Sequence, residues 1–188
     1  MNGVNADIAD KTVKSIIEMA DLYAVHTIVL EHLDLSGKKR GSKTSRQRLH
    51  MWCVKRIQKM VFDRAHRNGH HVSRVNAWNT SRLAFDGSGI VTRGRHITPR
   101  VDVNGVVHEF GYGTVEFVSG KLYSADLNAA YNIGARYFVR EISKVVSDEI
   151  MAPIKAEVPG VAHRSQCTLS SLWMLSKALV SWSEQAVA

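Results

Sequence analysis

The sequence predicts an α/β fold, and three observations carry that prediction. Long segments of helical periodicity alternate with short β-branched apolar runs. Glycine and asparagine punctuate the junctions between them. A later helix carries small residues at Ala129, Ala130 and Gly134, which suits close packing on a sheet.

From Asp7 to Tyr23, apolar residues at Val13, Ile16, Ile17, Ala20 and Tyr23 recur at helical spacing. Val25 to Glu31 is short, apolar and β-branched, and reads as a buried strand ending in an acid. Leu33 to Thr44 has turn residues and a dense basic run, Lys38-Lys39-Arg40, with no apolar period. It reads equally as a solvated loop or a phosphate-contacting one. A helix follows from Ser45 to Asn68, with an apolar stripe through Leu49, Trp52, Cys53, Ile57, Met60 and Val61 and basic residues over much of the rest. Asn68-Gly69 supplies its stop, and His70 to Val75 reads as the next strand.

The stretch from Trp78 to Thr98 is irregular. Val101 to Val103 and Val106 to Phe110 flank Asn104-Gly105, the favoured two-residue hairpin turn in which both central positions take positive φ. Thr114 to Val118 is a further strand. A helix then runs from about Asp126 to Lys144, with Leu127, Ala130, Tyr131, Gly134, Phe138 and Ile142 sharing the face expected to pack inward. The tail holds Pro153 and Pro159 and a last helix from Thr168 to Trp182. There is no internal repeat or low-complexity tract.

Composition bounds the function. The chain has 188 residues, with 25 basic and 17 acidic side chains, for a formal charge of +8 and a pI near 9.7. At 45% hydrophobic and 22% charged it is a soluble globular protein. No apolar run reaches the roughly 20 residues of a membrane span, and the start lacks the features of a signal peptide. Cys53 and Cys167 are far apart, so neither a disulfide scaffold nor a CxxC zinc site is expected. A cytoplasmic protein with a polyanionic partner and no membrane association is the expectation.

Two acids stand out by position: Glu31 closes a strand and Asp126 opens a small-residue helix. Carboxylates at such ends suit Mg²⁺, and paired cations can drive phosphodiester cleavage. The plainer alternatives are that Asp126 caps its helix and Glu31 is a surface acid. His70 and His71 are adjacent on a strand and face opposite ways, a poor metal pair. Asp86 reads as an Asx turn before it reads as a substitute carboxylate. Arg82, Arg93 and Arg95 are phosphate contacts or solvated arginines.

Ile28-Val29-Leu30-Glu31-His32-Leu33 resembles the second RuvC motif of the TnpB (OrfB) transposon-encoded nucleases and type V CRISPR effectors. Asp126-Leu127-Asn128-Ala129-Ala130-Tyr131-Asn132-Ile133 resembles their third motif. The basic helix with Trp52 and the Thr80-Ser81 pair also fit, so the resemblance covers roughly Ala24 to Arg140. It implies a partial RNase H-like (RuvC) domain, with a mixed sheet flanked by helices and a small inserted β-hairpin module. It also implies guide-RNA-dependent DNA cleavage with Mg²⁺ or Mn²⁺. Glu31 and Asp126 would be catalytic metal ligands, with Asn128 and Asn132 in support.

Two departures qualify the match. The family's first catalytic Asp, on a strand upstream of Glu31, has no counterpart, since the residues before Glu31 read as a helix. Where relatives often carry a four-cysteine zinc ribbon, residues 80–89 hold no cysteine. Zinc is therefore not expected, and the hairpin at Asn104-Gly105 takes the ribbon's place. The implied organisation is 1–80 and 121–150 as RuvC-like parts, 81–120 as the inserted module and 151–188 as a helical tail. The reading is the C-terminal portion of an RNA-guided nuclease, incomplete and inactive alone. Its partners would be DNA, a guide RNA and a completing chain at the open edge beside Val25 to Leu30. The alternative is a non-catalytic nucleic-acid-binding remnant or subunit, using Lys38, Lys39, Arg40, Arg82 and the basic helix.

Overall fold

The computed structural model describes residues 2–32, 45–157 and 167–187. The basic loop with Lys38, Lys39 and Arg40 lies outside the described residues. The fold is α/β, and the chain divides into two compact units, Met1–Arg74 and Val75–Ala188.

The first unit runs α1 (Asn2–Leu22), β1 (Thr27–His32), α2 (Ser45–Arg67) and into β2 (His71–Asn76). The His71 N–H donates to the His26 carbonyl at 2.8 Å, joining the starts of both strands, so β1 and β2 run the same way. A helical crossover between parallel strands gives this pattern. Val13 and Ile17 of α1 pack with Val61 and Ala65 of α2, and Ile28, Leu30 and Val72 bring the strands against them. Arg64 pairs with Asp10 across the two helices.

Both helices of this unit hand over to their strands through the same turn. At the end of α1 the Val25 N–H reaches the Ala20 carbonyl and the Ala24 N–H reaches Asp21. At the end of α2 the His70 N–H reaches Ala65 and the Gly69 N–H reaches His66. These are paired Schellman bonds, which need a left-handed residue between helix and strand. Gly69 fills that position freely at φ 78°, but in α1 it falls to Ala24 at φ 47°. A left-handed alanine costs about 1–2 kcal/mol, so the first turn is strained where the second is not.

The second unit continues with β3 (Thr92–Arg93), a 3₁₀ turn (Gly94–His96), β4 (Arg100–Val101), β5 (Val107–His108), β6 (Thr114–Glu116), β7 (Leu122–Ser124), α3 (Ala125–Ile142), α4 (Asp148–Glu157) and α5 (Leu169–Val187). The described strands form three small sheets: β1-β2, the antiparallel β3-β6-β7, and the β4-β5 hairpin. One core gathers Ala84, Val91, Val115, Phe117 and Ala125 beside the three-stranded sheet. Another gathers Val139, Ile150, Met151, Cys167 and Leu175 among the helices. No helix among the described residues is long and apolar enough to cross a membrane.

The hairpin corrects the expected turn. Arg100 pairs with His108 and Val101 with Val107, while the Gly105 N–H bonds the Asp102 carbonyl and the Asp102 N–H bonds that of Val106. Asn104-Gly105 therefore closes a three-residue loop in which only Gly105 has positive φ, at 81°. Asp102 overrides the two-residue form: its Oδ1 accepts the Asn104 and Val106 N–H groups at 2.8 and 2.9 Å, and its Oδ2 meets His108 Nε2 at 3.1 Å. The Val106 N–H, then His108 and the Asn104 N–H, hold this carboxyl below its ordinary 3.8. The carboxylate's support of the loop is present above that value and is lost as pH falls through the lower folded value. Amide spectra between pH 5 and 2 should show Asn104 and Val106 moving together below pH 3.8, and Asp102→Ala should abolish that step.

Candidate functional site

Asp126 and the residues after it are set by how α3 begins. The Ser124 side chain caps the helix, accepting from the Leu127 N–H at 3.4 Å. Asp126 is thus inside the first turn and is not the cap. Its carboxylate is exposed, with no hydrogen bond or ion pair among the described residues.

Asn128 and Asn132, two and six residues on, are fully buried. Asn128 accepts the Phe85 N–H and donates to the Leu83 carbonyl, both at 2.9 Å. Asn132 Nδ2 donates to the carbonyls of Thr80 at 2.9 Å and Leu83 at 2.8 Å. Arg136, a further turn on and 3% exposed, donates to the carbonyls of Asn76, Trp78 and Cys167 at 2.7, 2.6 and 3.1 Å. The three side chains share one helix face at i, i+4 and i+8. Together they bond the backbone at Asn76, Trp78, Thr80, Leu83 and Phe85, in a stretch that makes little regular structure of its own.

This reverses the expected orientation of α3. Leu127, Ala130, Tyr131 and Phe138, the stripe expected to pack inward, are exposed, and Gly134 has open space where a Cβ would point. Asn128, Asn132, Ala135, Arg136 and Val139 are buried instead. Burying amides and a guanidinium is favourable here because each meets otherwise unsatisfied backbone groups. Arg136 was missed for this reason: a polar residue at that spacing reads as solvent-facing until its acceptors are known.

The other sequence candidates are placed as follows. Glu31 is half-buried near the end of β1, its backbone carbonyl accepting from Gln58 Nε2 of α2 at 3.0 Å. It belongs to the first unit and Asp126 to the second. Among the described residues no three histidine, cysteine, aspartate or glutamate side chains come together to hold a metal ion. Asp86 forms an Asx turn, accepting the Ser88 N–H at 2.9 Å. Arg82 has an exposed side chain, and Lys55, Arg56, Lys59 and Arg67 are exposed on α2. His70 lies ahead of β2 and is buried, 9% exposed. Arg95, in the 3₁₀ turn after β3, lies over the exposed Tyr112 ring, 6.0 Å from its centroid, and Arg93 Nε donates to the Tyr112 carbonyl at 2.9 Å.

No protein-family model matches the chain, and neither does any curated protein. Among solved structures, the chain is similar to Alicyclobacillus acidoterrestris C2c1 in complex with single-guide RNA. That match has 22% identity and a TM-score of 0.41, covering 59% of this chain and 11% of the other. The chain thus spans about a tenth of that protein's length, and a likeness at this level bears no functional weight.

Asn132→Asp keeps the shape but replaces two donors with a carboxylate facing two carbonyls. Urea denaturation at pH 7 should show a loss of about 3 kcal/mol, partly recovered at low pH, where the acid carries a proton. Arg136→Met should lose a similar amount with no recovery at low pH, since the three carbonyls it bonds, that of Cys167 buried, lose their donor.

Proposed function

We propose that this chain is the C-terminal portion of an RNA-guided, metal-dependent DNA endonuclease of transposon or CRISPR origin, inactive by itself. The observation that carries the reading is how the segment Asp126 to Asn132 sorts in space. Its two asparagines are buried in hydrogen bonds to the fold, while the acid that leads it is exposed. That division fits the motif it resembles, in which the acid is the ligand and the amides are support.

The donor chemistry suits a hard cation, because carboxylate oxygens are the ligands Mg²⁺ and Mn²⁺ prefer. Asp126 alone would hold one weakly, since the positive end of α3, worth about half an elementary charge, opposes a cation there. The reading therefore needs Glu31 and a third carboxylate, supplied by another segment or chain, at the same cation. What the cations supply, when bound, is an activated water and charge stabilisation at the leaving oxygen. The chain's own residues hold the carboxylate: Ser124 sets the first turn, and Asn128 and Asn132 fix α3 against residues 80–85.

A second reading, a non-catalytic nucleic-acid-binding subunit, is favoured by the exposed basic face of α2 and by Arg95 over Tyr112. Both are suited to phosphate contact and base stacking without cleavage.

A metal titration separates these readings, and a cleavage assay tests the inactivity. Titrating Mn²⁺ into the ¹⁵N-labelled chain should broaden the amides around Glu31 and Asp126 together, and Asp126→Asn should abolish both effects. Broadening at neither acid removes the nuclease reading. Single- and double-stranded DNA with Mg²⁺ or Mn²⁺ should stay intact with this chain alone. Cleavage that Asp126→Ala removes would overturn the inactivity. On either reading the log–log salt dependence of DNA binding should become shallower by about 2–3 units in the triple variant Lys38→Ala, Lys39→Ala, Arg40→Ala. An unchanged slope would mean that the loop touches no phosphate.

A further inference from the structure

The buried His70 places both of its ring nitrogens against acceptors. Nδ1 lies 2.8 Å from the Val25 carbonyl and Nε2 lies 2.8 Å from Asp21 Oδ1. A carbonyl has no proton to give, and an ionised carboxylate has none either. Two hydrogen bonds of this kind require a proton on each ring nitrogen, which is the imidazolium form. A neutral ring loses one bond and faces an acceptor with a lone pair.

The residues it joins belong to the strained turn. Asp21 and Val25 flank the left-handed Ala24 and take part in the Schellman bonds that close α1. His70 is itself the last residue of the matching turn at the end of α2, where its N–H reaches Ala65. One side chain thus straps the strained turn to the unstrained one, at the point where β1 and β2 begin to pair through His26 and His71.

We propose that His70 is a proton-dependent clamp, holding the α1 turn and the start of the β1–β2 pair only while its ring carries both protons. Hydrogen bonding to Asp21 first and to Val25 next raises its pKa above the ordinary 6.5, against the opposing effect of burial. The other charged and titratable groups at this end of the unit lie on α1, α2 and the strand starts. From α2's last turn come Arg64, His66 and Arg67. Arg64 is engaged by Asp10, and Arg67 Nε by the Asp63 carbonyl. From the strand starts come His26 and His71, whose rings lie 4.7 Å apart between centroids, tilted by 37°. Asp21 is the acid that meets the ring. Because the folded chain binds the proton more tightly than the unfolded one, the clamp is fully stabilising below pH 6.5. It is lost as pH rises through the higher folded value.

The test is ring-nitrogen NMR on the full chain. At pH 7 both His70 nitrogens should show protonated shifts, with a midpoint above 6.5. Asp21→Asn should lower that midpoint. Native-state exchange at the His71 amide, corrected for intrinsic base catalysis, reads the clamp's effect on strand pairing. Its protection should fall by up to about tenfold per pH unit between 6.5 and the midpoint. A neutral His70 ring at pH 7 would overturn the proposal, as would protection at His71 that is flat across this range. The unmodified chain decides both points even if Asp21→Asn fails to fold.

Discussion

Three side chains on one face of α3 supply the hydrogen bonds that residues 76–85 cannot make for themselves. Asn128, Asn132 and Arg136 donate to five carbonyls, those of Asn76, Trp78, Thr80, Leu83 and Cys167, and Asn128 accepts one amide, that of Phe85. Without such partners each of these backbone groups would lose its hydrogen bond, at about 0.5–1.5 kcal/mol apiece. The rest of the second unit follows from this arrangement. Phe85 is fixed, its carbonyl receives the Ser170 N–H at the start of α5, and its ring joins Phe117, Tyr123 and Tyr131 at centroid distances of 5.0–5.3 Å. Asp126 stays outside because the face turned inward belongs to the amides.

The first unit solves a related problem at its helix ends. Orphaned carbonyls at the ends of α1 and α2 are closed by the same pair of turn bonds, and one histidine then joins the two turns. In both units, polar groups inside the fold set the geometry and apolar contacts fill in around it. Glu31 is thereby carried on a strand whose entry is held by His70, and Asp126 on a helix whose face is held by amides.

Much of this was readable from the residues. The cores of α1 and α2 follow their 3.6-residue apolar period, and β1, β2 and β6 follow their β-branched runs. β3 was not seen because two residues carry no period, and α4 runs through Pro153, which reads as a breaker. The face of α3 was misjudged because apolarity was the only guide. Its true selection rests on backbone groups 31 to 60 residues away in sequence. His70 was unreadable for the same reason, since its partners lie 45 and 49 residues off. The left-handed Ala24 hides a turn that Gly69 announces openly. Asp126 stands out in the sequence by its place at the start of a small-residue helix and by its motif, but its exposure follows only from knowing which of its neighbours are buried.

The central claim is that the polar face of α3 organises the second unit. Native-state hydrogen exchange at the Phe85 amide, which bonds Asn128 Oδ1 at 2.9 Å, tests it most directly. The account predicts that this amide exchanges only when the whole unit unfolds, as do the amides in the middle of α3. Exchange as fast as that of the exposed Gly87 and Ser88 amides would contradict it, because the segment would then open without disturbing the helix said to hold it.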